Sequence, residues 1–85
     1  MSLPRVVEES GSFRLVEADG RWAVLETRAG RVFALDPDRE AEDGAPDTPE
    51  GLAQAAAGGW SDEETARRCF AAMVRKGEHL ARSIW

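Results

Sequence analysis

The chain has 85 residues, of which 42% are hydrophobic and 32% charged, and its net charge is −5. This is one domain's worth of chain with the composition of a folded protein, which excludes wholesale disorder. We expect no membrane-spanning segment, because no apolar run approaches the ~20 residues that cross a bilayer. Residues 1–12 lack the apolar core of a signal peptide, and the single cysteine, Cys69, has no disulfide partner. Both features predict a cytoplasmic protein.

Residues 13–35 have the pattern of an antiparallel β-meander. Asp19-Gly20 separates two β-rich runs, residues 13–18 and 21–28, and predicts a type I′ hairpin turn. A second turn at Ala29-Gly30 returns the chain through residues 31–35. We expect Asp36-Pro37 to end the sheet, because proline donates no hydrogen bond to a ladder. Residues 3–7 predict a short additional edge strand, so that the sheet has three or four strands.

Two-residue turns set the strand register, and the register divides the predicted sheet into two faces. One face, called here the aromatic face, is large and apolar and is expected to form the core: Phe13, Leu15, Trp22, Val24, Phe33 and Leu35. The other, called the mixed face, combines arginines with small apolar residues and is expected to be partly exposed: Arg14, Val16, Ala18, Arg21, Ala23, Leu25, Val32 and Ala34.

The C-terminal half predicts two helices after an acidic loop at residues 36–47. The first spans residues 48–58, with Thr48 as its cap, Pro49 at its first position and Gly58-Gly59 at its end. The second is a long amphipathic helix over residues 61–84, in which Ser61 and Glu64 have the spacing of a capping box. Its apolar stripe is expected to pack on the aromatic face. The whole chain, residues 1–85, is therefore predicted to be one α+β domain of order βββαα, with both helices on one face of the sheet.

Charge is distributed unevenly along the chain. Residues 1–35 are neutral and residues 61–85 carry +1, whereas residues 36–60 carry −6, from seven acids and Arg39. Binding to nucleic acid needs concentrated positive charge and is therefore disfavoured. A concentrated acidic surface instead favours a protein partner with a basic surface.

The residues that could carry chemistry do not form a recognisable site. On one helix, Cys69 and His79 are separated by ten residues, or about 15 Å, and cannot share a proton; we expect Cys69 to be an inert buried thiol. Asp36, Asp38 and Glu40 match the first ligand positions of a calcium loop, but Ala41 stands where the required glycine would be. We expect no enzymatic activity, no metal and no cofactor.

The sequence thus predicts a small protein-binding module, an inhibitor or adaptor acting through its acidic surface. The expected partner-binding residues are Asp36, Asp38, Glu40, Glu42, Asp43, Asp47, Glu50 and Trp85. In size, acidity and lack of catalytic residues the chain is similar in type to the small anti-CRISPR inhibitors that phages encode, although no motif carries that similarity. Such an acidic surface can imitate the charge of phosphates.

Two alternative functions follow from the predicted sheet. The chain could form a structural homodimer or act as an adaptor subunit, either through its first strand or through the mixed face, where Val16, Leu25 and Val32 would lie between subunits. It could also be a nucleic-acid-binding domain that uses the arginines of its strands.

Overall fold

A computed structural model describes residues 3–35 and 44–83, with the side chains of the last helix described through residue 76. Five strands, β1 (Arg5–Ser10), β2 (Phe13–Ala18), β3 (Arg21–Arg28), β4 (Arg31–Ala34) and β5 (Ala45–Pro46), precede two helices, α1 (Pro49–Ala56) and α2 (Glu63–Ser83). The strands form one antiparallel sheet in the order β1-β2-β3-β4-β5.

The predicted α+β class is confirmed, and the additional edge strand predicted at residues 3–7 is present as β1, but the sheet has five strands rather than three. The sheet gains β5 from the segment predicted as an acidic loop. A proline is tolerated there because β5 lies at the sheet edge, where a missing N–H need not interrupt a ladder.

Both predicted hairpin turns are present. Asp19 and Gly20 have φ of 53° and 80°, and Ala29 and Gly30 have φ of 52° and 78°, as type I′ turns require. The pairs Ala18↔Arg21 and Arg28↔Arg31 close these turns with two residues each. The predicted register, and with it the division of the sheet into two faces, is therefore observed.

The two helices pack on opposite faces of this sheet, and the prediction that they share one face is wrong. Leu52 and Ala56 of α1 pack on the mixed face, in a cluster completed by Val16, Ala23, Leu25, Val32 and Ala45. Ala66 and Phe70 of α2 pack with Leu15 on the aromatic face. Because the mixed face is built from small apolar side chains, a short alanine-rich helix can approach it closely. That face is therefore a second core layer rather than a partly exposed surface.

A glycine permits the close approach of α1 to β5. A Cβ atom added to Gly51 would lie 1.7 Å from the carbonyl oxygen of Pro46, which is far inside van der Waals contact. Gly51 also donates its backbone N–H to Oγ1 of Thr48, at 3.0 Å, so the predicted cap of this helix is confirmed. The cap and the missing side chain together hold the first turn of α1 against the sheet edge.

The chain crosses from the mixed face to the aromatic face at the edge of β3. Trp22 donates its N–H to the Ser61 carbonyl oxygen at 2.9 Å, and Ser61 donates its N–H to the Trp22 carbonyl oxygen at 2.8 Å. Because Ser61 is held by the strand, the predicted capping box is replaced by Asp62, whose Oδ1 accepts the N–H of Thr65 at 2.8 Å. Hydrogen bonds from Thr65 lower the pKa of the Asp62 carboxyl.

The contact at Gly51 predicts a large effect of one added methyl group. Gly51→Ala should destabilise the protein by about 1–3 kcal/mol, because the clash with Pro46 outweighs the better helix propensity of alanine. Urea unfolding measures the difference. Gly59→Ala is the matched control, since its Cβ would lie 3.4 Å from the Ala56 carbonyl oxygen. Equal stability of the two variants would contradict the close approach.

The Trp22–Ser61 bridge is tested by removing one of its donors. Ser61→Pro deletes the N–H that bonds to Trp22 and should destabilise the fold by about 2–3 kcal/mol. Ser61→Ala keeps both backbone hydrogen bonds and loses only the hydroxyl, so it should stay within about 1 kcal/mol of the parent. Thermal unfolding followed by circular dichroism compares them; a proline variant as stable as the alanine variant would show that the bridge is dispensable.

Candidate functional site

Most of the predicted acidic site lies outside the described residues. This applies to Asp36, Asp38, Glu40, Glu42 and Asp43, and also to Trp85. The residues that flank the acidic segment are described: Leu35 follows β4, and Gly44 precedes β5. Because Val32 pairs with Ala45, the described residues on the two sides of this segment adjoin one pair of hydrogen-bonded strands.

The backbone at the return of this segment is held by close contacts. Gly44 has a φ of 65°, and a Cβ atom there would lie 2.7 Å from the ring of Phe33. The Gly44 carbonyl oxygen accepts a hydrogen bond from Nη2 of Arg31 at 3.3 Å. The backbone at Gly44, where the described chain resumes, is therefore closely packed against the sheet.

Asp47 is engaged within the fold. Its carboxylate forms a two-pronged ion pair with Arg14, with Nη1–Oδ1 at 2.6 Å and Nη2–Oδ2 at 3.1 Å, and Nε of Arg14 bonds to Glu9 at 2.5 Å. The hydrogen bonds from Arg14 lower the pKa of Asp47, and those carboxylates raise the pKa of Arg14. Asp47 thus ties the start of α1 to the mixed face, whereas Glu50, in the first turn of α1, is exposed.

Charge in the described part of the chain is nearly balanced. Residues 3–35 and 44–76 contain ten acids and nine basic residues. Residues 36–43 contain five acids and one arginine, which gives −4 of the total −5. The excess negative charge is therefore concentrated in eight consecutive residues.

The arginines of the strands are engaged inside the chain rather than gathered into a basic surface. Arg5 pairs with Glu17 at 3.0 Å, and the guanidinium of Arg21 lies 4.9 Å from the ring centre of Trp60. Arg28 lies 4.1 Å from the ring centre of Phe33 and pairs with Glu26. These arginines contact carboxylates and aromatic rings of the same chain, which fits a role in fold stability. The contacts lend no support to the nucleic-acid alternative.

One of the two surfaces proposed for pairing between subunits, the mixed face, is covered within the chain. Val16, Leu25 and Val32 are each at most 1% exposed, because α1 covers them within the same chain. These three side chains are therefore not available for contact with a second subunit. Pairing through β1, whose Val6 is 41% exposed, stays a prediction.

Cys69 is partly buried, and this burial raises the pKa of its thiol. The thiol is therefore protonated at neutral pH, as expected for an inert cysteine. The side chain of His79 lies outside the described residues. In the described part of the chain no three His, Cys, Asp or Glu side chains are grouped so that they could hold a metal ion.

Sequence reasoning missed an apolar cleft of about 280 Å³ beside the strand crossing. It lies between the middle of β3, the end of β4, the end of α1 and the start of α2. Its small side chains are Ala23, Ala34, Ala55, Ala56, Ala57 and Ala66. The alanine-rich run of residues 53–57 was the available signal, but the cleft combines residues from both sheet faces and both helices.

No known protein family, curated protein or solved structure matches the chain. Among the described residues, no helix combines the length and the apolar character that a membrane crossing requires.

The Arg14–Asp47 pair predicts a specific dependence of stability on pH. In the folded chain the pKa of Asp47 lies below its ordinary value of 3.8. The contribution of the ion pair to the free energy of unfolding is therefore complete above pH 3.8 and is lost as the pH falls through the folded pKa. Because the pair is partly exposed, Asp47→Asn should cost only about 0.5–1 kcal/mol at pH 7. Denaturant unfolding at a series of pH values should show this difference shrinking below pH 3.8. A difference that stays constant on acidification would contradict the ion pair.

Proposed function

We propose that this chain is a non-enzymatic protein-binding module, an inhibitor or adaptor that engages a basic protein surface through its acidic segment, residues 36–43. The observation that carries the proposal is the separation of charge, since this segment holds −4 of the net −5 while the remainder is nearly balanced. Exposed Glu50 extends the acidic surface onto α1. Asp47 contributes to the fold instead, through Arg14.

The attachment of the segment supports this role. Both of its ends adjoin paired strands, and its return at Gly44 is closely packed against Phe33. A recognition segment attached at both ends loses less conformational freedom on binding than a free tail of equal length. The acids can therefore be presented together to a partner at a modest entropic cost.

The physical effect of such a segment is long-range attraction followed by charge pairing. Acidic residues steer a basic partner into contact and disfavour acidic competitors. A partner that normally binds nucleic acid offers a surface of this kind, so the module would compete with phosphates there, as an inhibitor of the type of the phage-encoded anti-CRISPR proteins does. We place this activity in the cytoplasm, in keeping with the single cysteine.

Neutralising the segment tests the proposal. A variant with Asp36→Asn, Asp38→Asn, Glu40→Gln, Glu42→Gln and Asp43→Asn should lose its partner in a capture experiment from host-cell lysate. The control neutralises five acids elsewhere: Glu8→Gln, Asp19→Asn, Glu26→Gln, Glu63→Gln and Glu64→Gln. Both variants have the same net charge, so a difference between them reports position rather than total charge.

The expected result is a basic partner that the parent and the control capture and the segment variant does not. Binding should weaken by about tenfold or more when salt rises from about 50 to about 500 mM, because exposed charge pairs are screened. Equal capture by the segment variant, or a partner that is retained unchanged in high salt, would overturn the proposal.

A further inference from the structure

The outer side of β1 is an open edge of the sheet. β1 pairs with β2 along one side, and no described strand pairs with its other side. An edge of this kind presents backbone N–H and C=O groups that can pair with another strand. Among the described residues, the large hydrophobic side chains that are exposed are Leu3, at 52%, and Val6, at 41%, and both lie in or just before β1. The edge therefore offers backbone hydrogen bonds together with apolar contact area.

A β-bulge in β1 decides which of its side chains share a face. Arg5 pairs with Glu17 and Glu8 pairs with Leu15, and the register shifts by one residue between these pairs. Glu17 and Leu15 are two residues apart in β2 and so lie on the same face, the aromatic face on which α2 packs. Directly opposite residues share a face, so Arg5 and Glu8 lie there as well. Without the bulge, residues three apart would lie on opposite faces.

These two side chains carry opposite charges and are accessible. Arg5 is 72% exposed, although its Nε lies 3.0 Å from Oε1 of Glu17. A guanidinium has five N–H donors, so Arg5 can bind a second carboxylate. Glu8 is exposed, and within the described part of the chain it forms no ion pair. β1 therefore begins with an accessible cation and carries an accessible anion on the same face.

An antiparallel pair of two β1 strands brings these charges together. A two-fold axis between Val6 and Val7 places Arg5 of each copy directly opposite Glu8 of the other. The same axis places Val6 opposite Val7, so the centre of the pair is apolar and a charge pair lies on either side of it. A register shifted by two residues would place Arg5 opposite Ser10 instead. Opposite charges facing each other stabilise a strand pair, so the first register is favoured.

The favoured register also brings an apolar side chain to an apolar groove. A groove of about 400 Å³ lies between the end of β1 and α2, where Phe70 and Val74 line it beside Ser10. In the paired strands, Leu3 of one copy stands opposite Ser10 of the other and so lies at this groove. Leu3 is more than half exposed in the single chain. A second copy therefore matches the edge at three places, through its leucine, its arginine and its glutamate.

We infer that two copies of this chain pair through β1 in antiparallel orientation, about a two-fold axis between Val6 and Val7, so that their five-stranded sheets become one. Such a contact is isologous, because the same residues of both copies form it. The contact is small, with a strand of six residues from each copy, so we expect a dissociation constant on the order of 0.1 mM. The inference goes beyond the proposed function and involves only β1, the residues that precede it and α2.

Charge reversals at the two facing positions test this register. Glu8→Arg sets two arginines opposite each other, and Arg5→Glu sets two glutamates opposite each other. Both positions are exposed, so neither substitution should disturb the fold. Each variant alone should dimerise about tenfold or more weakly than the parent chain, because like charges directly opposite destabilise strand pairing. Size-exclusion chromatography with light scattering measures the dimer fraction of the full chain over about 0.01–1 mM, and circular dichroism verifies the fold.

A mixture of the two variants and a matched control make the test specific. In a mixed pair every facing position joins an arginine to a glutamate, so an equimolar mixture should dimerise about as well as the parent. The control, Glu50→Arg, has the same net charge as Glu8→Arg, but its position is on α1, which contacts β3, β4 and β5. This control should dimerise at the strength of the parent.

Three results would overturn the inference. The first is a parent chain that stays monomeric at about 1 mM. The second is dimerisation of both charge-reversed variants at the strength of the parent. The third is a mixture of the folded variants that associates no better than its components. The proposed function is tested separately, by the capture experiment, because none of these measurements involves a basic partner.

Discussion

The pairing of Trp22 with Ser61 is the constraint on which the rest of the structure depends. Two hydrogen bonds of 2.8 and 2.9 Å fix the connection between the helices to the edge of β3. The chain therefore leaves the mixed face and reaches the aromatic face at one defined position. Rings and guanidinium groups cover this crossing, since Arg21 lies over Trp60 and Arg67 lies 5.1 Å from the ring centre of Trp22. The bridge thereby determines that a small sheet is covered on both faces.

The same crossing explains the apolar cleft beside β3. Because Ser61 occupies the edge of β3 only at Trp22, and β4 ends at Ala34, neither neighbour fills the interval between them. Alanines allow α1 to pack closely on the mixed face, and their short side chains also leave the interval open. The small side chains therefore have two effects: they let α1 pack closely on the sheet, and they leave the cleft beside it unfilled.

The fold uses its charged residues in two different ways. Arg14, which is only 17% exposed, is satisfied by Glu9 and Asp47 and joins β1, β2 and the start of α1. Such a charge needs its partners because an unpaired guanidinium in that position would be costly. Residues 36–43 carry most of the net negative charge of the chain, whereas the described remainder is nearly neutral. Under the proposed function, recognition falls to residues 36–43, and stability falls to charge pairs such as that of Arg14 with Asp47.

The sequence by itself determined what depends on neighbours along the chain. The Asp19-Gly20 and Ala29-Gly30 turns, the register that follows from them and the Thr48 cap are set by local backbone geometry. Only the tertiary structure decided that α1 covers the mixed face, that Ala45–Pro46 joins the sheet, and that Asp62 rather than Ser61 caps α2. The acidic character of residues 36–43 was visible in the sequence, whereas the engagement of Asp47 by Arg14 and the cleft were not. The ion pair and the cleft both depend on residues that are far apart in the chain. Small apolar side chains are compatible with either an exposed or a covered sheet face, and only the position of a helix decides between the two.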